Sequence, residues 1–455
     1  VNLRFHNTWT RALEDFVPID PANVRVYACG PTVYARIHIG NARMTVAFDL
    51  LYRLLRQAYG PDHVTYVSNI TDIDDKIIAA AGENLGAIYE LTTRMAACYD
   101  ADRAALGCLR PNVEPKATDY VDGMIAMIER LIASGNAYEA EGHVLFAVET
   151  SPEYGRLSGH SREDQIAGAR VEVAPYKKDP ADFVLWKPSS SNYPGWNSPW
   201  GFGRPGWHIE CSVMTADTLG EVFDIHGGGI DLTFPHHENE IAQSRCAHGG
   251  AVPANTWMHN GHVMVAGRKM SKSLGNFITV EDLLKRWPGE AIRLALLSAQ
   301  YRQPLNVTED LLAASKARLD YLYGVLRRQP PNGDGQPDEA MLAALSDDMN
   351  TPLAMSALQA LAGRVEQGVA KASDLLVSAG ILGLLQQQPD SWFQWQAPSG
   401  KGLAEAEIES LIEDRRRARA ERDFAGADAI RKQLLDGGVA LEDTAAGTIW
   451  KRISP

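Results

Sequence analysis

Lys269-Met270-Ser271-Lys272-Ser273 sets two lysines three positions apart, interleaved with hydroxyls and bracketed by glycine-bearing turns at Gly267 and Gly275. Ammonium groups so placed can follow the growing negative charge of a polyphosphate, while the hydroxyls donate to its remaining oxygens. Alone, the segment reads as a solvated surface turn. A second segment changes that reading. Between Tyr34 and Asn41, Gly40 permits close backbone approach, and His38 and Asn41 can donate hydrogen bonds near phosphate or ribose. A helix beginning there adds its partial positive charge. The two segments together signal nucleotide activation.

A metal constellation is also visible. Cys29 ends a strand, Cys211 follows Trp207-His208-Ile209-Glu210, and His236 and Glu240 are four residues apart, on one face of a helix. Two cysteines, a histidine and a glutamate can satisfy a tetrahedral zinc, which can in turn bind and deprotonate a thiol. Two buried cysteines and a polar His-rich run would also be ordinary structure. His237 competes as a ligand, although the four-residue spacing favours His236 with Glu240. Cys98, Cys108 and Cys246 lack comparable partners and read as structural. The acidic run Thr71-Asp72-Ile73-Asp74-Asp75-Lys76 suits helix capping better than a magnesium cage; magnesium is expected to arrive with ATP and keep much of its water.

These residues need a scaffold. Val24–Ala28 and Val64–Val67 read as strands flanking a helix over Asn41–Ala58, whose apolar positions recur with helical spacing. Strand, glycine-bearing loop, helix and strand open a parallel α/β nucleotide fold. Val222–His226 is a later strand, so the α/β core is interrupted by an insertion over roughly 115–195, with strands expected at 143–148 and 183–186. After about Asn306 the texture becomes helical, with segments at 313–326, 338–345 and 354–365 and a Pro/Gly connector at 329–335. A polar stretch at 388–402 precedes a small C-terminal module.

The 455 residues, 45% hydrophobic and 22% charged, predict two to four globular domains. No apolar run approaches the roughly 20 residues of a membrane span, and Val1–His6 lacks the apolar stretch of a signal peptide. Five cysteines in so long a chain point to a reducing cytoplasm rather than a disulfide scaffold. The net charge of -13 argues against general nucleic-acid binding but permits a local basic face, for which Arg415–Lys432 is the candidate; ordinary ion pairs on a solvated helix explain it equally well.

With these residues in view, the chain resembles bacterial cysteinyl-tRNA synthetases, class I aminoacyl-tRNA synthetases, over nearly its whole length. The resemblance is carried by Cys29–Tyr34, His38–Asn41, Asn69–Lys76, Gly206–Cys211, His226–Leu232, Phe234–Glu240, the lysine-serine segment and Phe424–Arg431. It implies a Rossmann-like catalytic domain in two parts (1–114 and 196–250), split by a connective insertion (115–195). A linking domain with the lysine-serine loop (251–305), a helical bundle (306–388) and an anticodon-recognition module (402–455) would follow. It further implies one zinc on Cys29, Cys211, His236 and Glu240. Gly30, Thr71, Trp207 and His208 would form the L-cysteine pocket, and His38 and Asn41 would contact the reacting phosphate. Gly40 and Asp231 would contact ATP, and Lys269 and Lys272 the α-phosphate and pyrophosphate. The partners would be ATP with Mg2+, L-cysteine and tRNA(Cys), with the protein monomeric, free of membrane and cytoplasmic. A hydroxyl binds zinc less readily than a thiolate, so no editing domain against serine is expected. One departure stands out: the family often has aspartate after the tyrosine, where this chain has Ala35-Arg36.

The nearest alternative resembles mycothiol cysteine ligase, which transfers the activated cysteine to an amino sugar. The helical C-terminal half, suited to a tRNA stem and anticodon, favours the tRNA enzyme. There Phe424 reads as a core residue, and Trp450, followed by Lys451-Arg452, as the better nucleic-acid contact. An inactive tRNA-binding protein is disfavoured because the zinc set and both nucleotide motifs are intact.

Overall fold

The computed structural model describes residues 2–82, 84–161, 163–164, 166, 175–265, 267–270, 277–398, 402–444 and 447–453. They fall into two compact units. The first comprises Val1–Val280, Leu296–Thr308 and Glu339–Ser356; the second comprises Glu281–Ala295, Glu309–Asp338 and Ala357–Pro455.

In the first unit a short antiparallel pair, β1 (Arg4–Asn7) and β2 (Ala12–Asp15), precedes β3 (Val24–Ala28). The near-continuous apolar run of β3 is what a strand covered on both faces requires. Helix α1 (Ile39–Tyr59) follows, then β4 (Val64–Ser68) parallel to β3. Beyond α2 (Asp75–Ala81) and α3 (Leu85–Ala105) come α4 (Val121–Ala133) and the antiparallel sheet β5 (Ala137–Ala140), β6 (His143–Phe146), β7 (Phe183–Pro188) and β8 (Gly203–Pro205), the last strand lying past the 195 boundary expected for the insertion. Its apolar face packs Phe146, Phe183, Leu185 and Trp186 on Met124, Ile128 and Leu131 of α4 and on Ile209 and Val213 of α5 (Trp207–Leu219). The chain then returns to the central sheet as β9 (Phe223–Gly229), a tight turn and α6 (Glu238–Ala247), and β10 (Ala254–Asn260). The parallel order β10-β9-β3-β4 brings the C-terminal ends of β3 and β9 side by side, where ligands of open α/β sheets bind. A small sheet of β11 (Val263–Val265), β12 (Arg268–Lys269) and β13 (Leu305–Val307) lies at the exit of β10.

The second unit is helical apart from a C-terminal hairpin. Glu290, buried, accepts from Tyr323 Oη at 2.8 Å and Leu385 N at 2.9 Å, binding three of its segments together. At its end, helices Glu405–Ala420 and Phe424–Asp436 cover the hairpin Val439–Thr444/Gly447–Arg452 around Ile408, Leu434, Val439 and Trp450. Two expectations reverse here. Phe424 is 65% exposed because it opens its helix on the outer side, next to the N-cap Asp423. Trp450 is only 3% exposed: the strand turns it inward, and its indole N–H finds Glu409 Oε1 at 2.6 Å. The basic face is largely paired, with Arg416 on Glu413, Arg417 on Asp414, and Arg415 and Arg419 both on Asp443, as a solvated helix would have it. Among the described residues no helix is long and apolar enough to cross a membrane.

Candidate active site

His38 is the N-cap of α1. Its Nδ1 accepts from the backbone N–H groups of Gly40 and Asn41 at 3.0 and 3.2 Å, while Asn41 Oδ1 accepts from His38 N at 3.4 Å. Because Nδ1 is an acceptor, a neutral ring carries its proton on Nε2. The cap thus fixes the tautomer as well as the helix start. A cavity of about 370 Å³ opens in front of this turn, lined by Gly30, Tyr34, Arg36, His38, Gly40, Asn41, Trp207, Asp231 and the Asn260–Val263 segment. Gly40 is needed here, since a Cβ would lie 2.9 Å from the His38 ring. Arg36 of the departing Ala35-Arg36 pair faces the buried Asp102 carboxylate of α3 at 3.4 Å, which supplies its counter-charge.

The donors expected for zinc come together. Cys29, Cys211, His236 and Glu240 offer ligand atoms all within 4.8 Å of one another, and all four are buried. Cys29 and Cys211 Sγ are 3.8 Å apart, and His236 Nε2 lies 2.9 Å from Glu240 Oε1. His237 also converges: its Nε2 is 3.3 Å from Cys29 Sγ, and Cys29, His226, His237 and Glu240 form a second such group. The set with two sulfurs is the better match to a borderline-soft cation.

Charge in this buried cluster is shared unequally. Cys29 is pushed well up, first by burial and then by Cys211, whereas the hydrogen bond with Cys29 holds Cys211 down at about 6. Burial opposes a charged His236, but Glu240 and Cys211 prevail and raise it to about 10. Burial likewise disfavours the Glu240 carboxylate, yet His226 and His236 hold it well below the ordinary range. His237 and His259 are driven down by burial, His259 to about 3, so both are neutral and hydrogen-bonded to each other at 2.8 Å. The cluster therefore holds a thiolate, a carboxylate and a displaceable proton on His236, a donor set with the composition a zinc ion takes.

Beside it, Trp207 stacks on His236 at 4.1 Å, and His208 Nδ1 is 3.0 Å from His236 Nδ1. Thr71 Oγ1 accepts from Asn69 Nδ2 and donates to Glu210 Oε2, both at 3.1 Å. Asn69 Oδ1 also accepts from Gly30 N at 2.8 Å, and a Cβ on Gly30 would overlap the Asn69 carbonyl. Asp74 caps α2 as expected, accepting from Lys76 N at 2.7 Å, whereas Asp72 reaches across to accept from Thr118 N and Oγ1. Lys269 lies in β12, paired with Met264; Lys272, with residues 271–276, lies outside the described residues.

Sequence reasoning missed Asn69, His226, Glu210 and His259. The signal lay in polar residues at positions the strands bury: β9 and β10 carry His226 and His259 inward, where alternation alone calls for apolar side chains.

The parallel sheet order and the helix N-terminus at its strand ends make a nucleotide-type α/β domain, and the family comparison assigns its class, a class I tRNA synthetase catalytic domain. The model of the family described as tRNA synthetases class I (C) catalytic domain matches residues 15–317. The fold is shared with Mycobacterium tuberculosis methionyl-tRNA synthetase in complex with methionyl-adenylate (TM-score 0.55, 15% identity, 83% of this chain and 92% of that one). It is shared also with an Agrobacterium radiobacter LeuRS in a ternary complex (TM-score 0.55, 12% identity, 81% and 83%). Full-length relatives narrow the class. The cysteine–tRNA ligases of Rhodospirillum centenum and Rhodospirillum rubrum are 58% and 56% identical, each over 99% of this chain and 99% and 100% of their own lengths. That of Xanthomonas campestris is 53% identical over 99% of both. The chain belongs to the cysteine–tRNA ligase family. An amino-sugar acceptor finds no support in these relatives.

Proposed function

We propose that this protein activates L-cysteine with ATP and transfers it to the 3′-terminal ribose of tRNA(Cys), working as a cytoplasmic monomer. The observation that carries the reading is the juxtaposition of a buried two-thiol, one-imidazole, one-carboxylate cluster with the nucleotide cavity at the N-terminus of α1.

Cys29, Cys211, His236 and Glu240 would hold zinc. When bound, zinc supplies a soft Lewis acid that favours a thiolate over a hydroxyl. In a purely apolar pocket, discrimination against serine would be worth only about 1–3 kcal/mol. Thr71, fixed by Asn69 and Glu210, and Gly30, whose N–H is tied to Asn69, shape the pocket for the amino acid. Trp207 and His208 close it. His38 and Asn41 contact the α-phosphate region, Gly40 lets the nucleotide approach the backbone, and Asp231 takes the ATP ribose. Mg2+ accompanies ATP. The cysteine carboxylate attacks the α-phosphorus and pyrophosphate leaves, its charge met by Lys269 and Lys272. The ribose hydroxyl of the tRNA, the 2′-hydroxyl first, then attacks the carbonyl of the adenylate and AMP departs.

ATP-dependent charging of bulk bacterial tRNA with cysteine, with serine as control, tests this reading. Cysteine-selective charging, lost on chelation and restored by zinc, is the expected result. Cysteine-dependent pyrophosphate exchange without charging would overturn the acceptor, and equal charging with serine would overturn the role given to the metal.

A further inference from the structure

Arg43 sits two residues after the His38–Asn41 turn, in the first coils of α1, and is 1% exposed. Among the described residues no carboxylate pairs with it, and burial alone pulls its guanidinium down to about 10. A buried cation without a counter-ion is costly and persists only where strong acceptors surround it. Here they are backbone carbonyls from two separate segments. Nη1 donates to Gly261 O and His262 O, both at 3.0 Å, and Nη2 donates to Gln300 O at 3.3 Å.

Those carbonyls belong to the nucleotide site. Gly261 and His262 line the cavity opposite Gly40, Asn41 and Met44, which come from the same turns of α1 as Arg43. The wall is held from its other side too: Gly261 N donates to Tyr301 O at 2.8 Å, and Leu305 N to His262 O at 2.9 Å. There is no slack, since a Cβ on Gly261 would lie 2.5 Å from Arg302 O. The same wall runs directly into β11, which pairs with β12 and so sets the backbone of Lys269.

We propose that Arg43 is a positioning residue for the activation step. Its guanidinium ties the phosphate-facing turn of α1 to the Gly261–His262 wall, fixing the width of the nucleotide cavity and the entry to the lysine-serine segment. A planar five-donor fork can hold three carbonyls at once; a lysine ammonium holds fewer in a less defined geometry, and an amide fewer still. This rests on the ATP-dependent reading above and adds to it a residue that touches neither substrate.

The test is cysteine-dependent ATP–pyrophosphate exchange by the full-length zinc-loaded protein with Arg43→Gln and Arg43→Lys. Displacing one wall of a reacting site by an ångström costs on the order of 100-fold in rate. For Arg43→Gln we expect a loss of roughly that size in kcat with a raised KM for ATP, an unchanged KM for cysteine, and partial rescue in Arg43→Lys. Damage that is only structural would lower Tm without separating the two KM values. Exchange by folded Arg43→Gln within about twofold of the parent in kcat and KM for ATP would overturn the proposal. If Arg43→Gln does not fold, the same criterion applied to Arg43→Lys decides. Calorimetric ATP binding to parent and variants keeps the two readings apart. A parent without exchange refutes the proposed reaction, while variants that bind ATP and exchange like the parent refute Arg43.

Discussion

His226 offers a sharp probe of how the proposed zinc site is held. Its Nε2 donates to Glu240 Oε2 at 2.8 Å, leaving Oε1 toward His236 at 2.9 Å and Cys29 at 3.8 Å. Its ring stacks on Trp257, its partner across the sheet, at 4.5 Å. His226→Phe keeps an aromatic ring on Trp257 and removes only the donor. Burial, the largest influence on Glu240, then acts with one fewer opponent, so the carboxyl moves up and a proton competes with the metal for it. Losing an outer partner of a metal ligand typically costs 10- to 100-fold in affinity, about 1.4–2.7 kcal/mol. The upper end is expected here, because both side chains are at most 2% exposed and no solvent can replace the bond. Zinc transfer to a chromogenic chelator measures the affinity, and the KM for cysteine in exchange should rise with it. His226→Gln, which retains an N–H, should recover most of the loss. Parent-like zinc affinity in folded His226→Phe would refute the claim that this hydrogen bond orients Glu240.

Three further outcomes are expected. Gly30→Ala places a Cβ 1.6 Å from the Asn69 carbonyl oxygen; the backbone must part there, and cysteine-dependent exchange should fall by about 100-fold or more. Asp348→Ala removes an acceptor from His6 N, Tyr301 Oη, Gln300 Nε2 and Arg302 Nε at 2.8–3.0 Å and leaves alanine at φ +57. Urea unfolding should report a loss of about 3 kcal/mol, and a loss below about 1 kcal/mol would refute this accounting. Asp443, held well below the ordinary range by hydrogen bonds from Arg415 and then Thr448, contributes stability that is present above its unfolded value near 3.8 and fades as pH falls through its lower folded value. The Tm gap between parent and Asp443→Asn should be modest at pH 7, because the Asp443 side chain is 42% exposed even though Arg415 is buried, and should narrow below about pH 4; a gap constant to pH 2 would contradict the linkage.

Legibility followed physical locality. The helix at Asn41–Ala58 was readable from its periodic apolar face, and the strands at Val24–Ala28 and Val64–Val67 from short apolar runs; all three are present with ends shifted by two residues at most. The spacing of His236 and Glu240 was readable for the same reason: one helical turn sets their separation. Cys29 and Cys211 were joined to them by ligand chemistry and then by resemblance, since no local rule links residues 182 apart. His226, His259 and Arg43 were out of reach because their partners come from other elements, and a polar residue in an apolar run does not say whom it will meet. The exchange of roles between Phe424 and Trp450 has a related origin. Composition tells which residues are aromatic, whereas hairpin register and the start of a helix decide which one is covered.

The placement of the four donors has a consequence for the order in which the molecule is made. Cys29 emerges early in synthesis, but its partners at 211, 236 and 240 lie beyond the whole insertion. A nascent chain that has released the first strand and helix therefore offers a solitary thiol with nothing to chelate. The full set of donors assembles only when α5, β9 and α6 dock onto β3. An ion that prefers the finished pocket then stabilises the assembled unit by mass action rather than seeding it. On the zinc reading proposed above, loading would report that the two separated stretches of the central sheet have found each other.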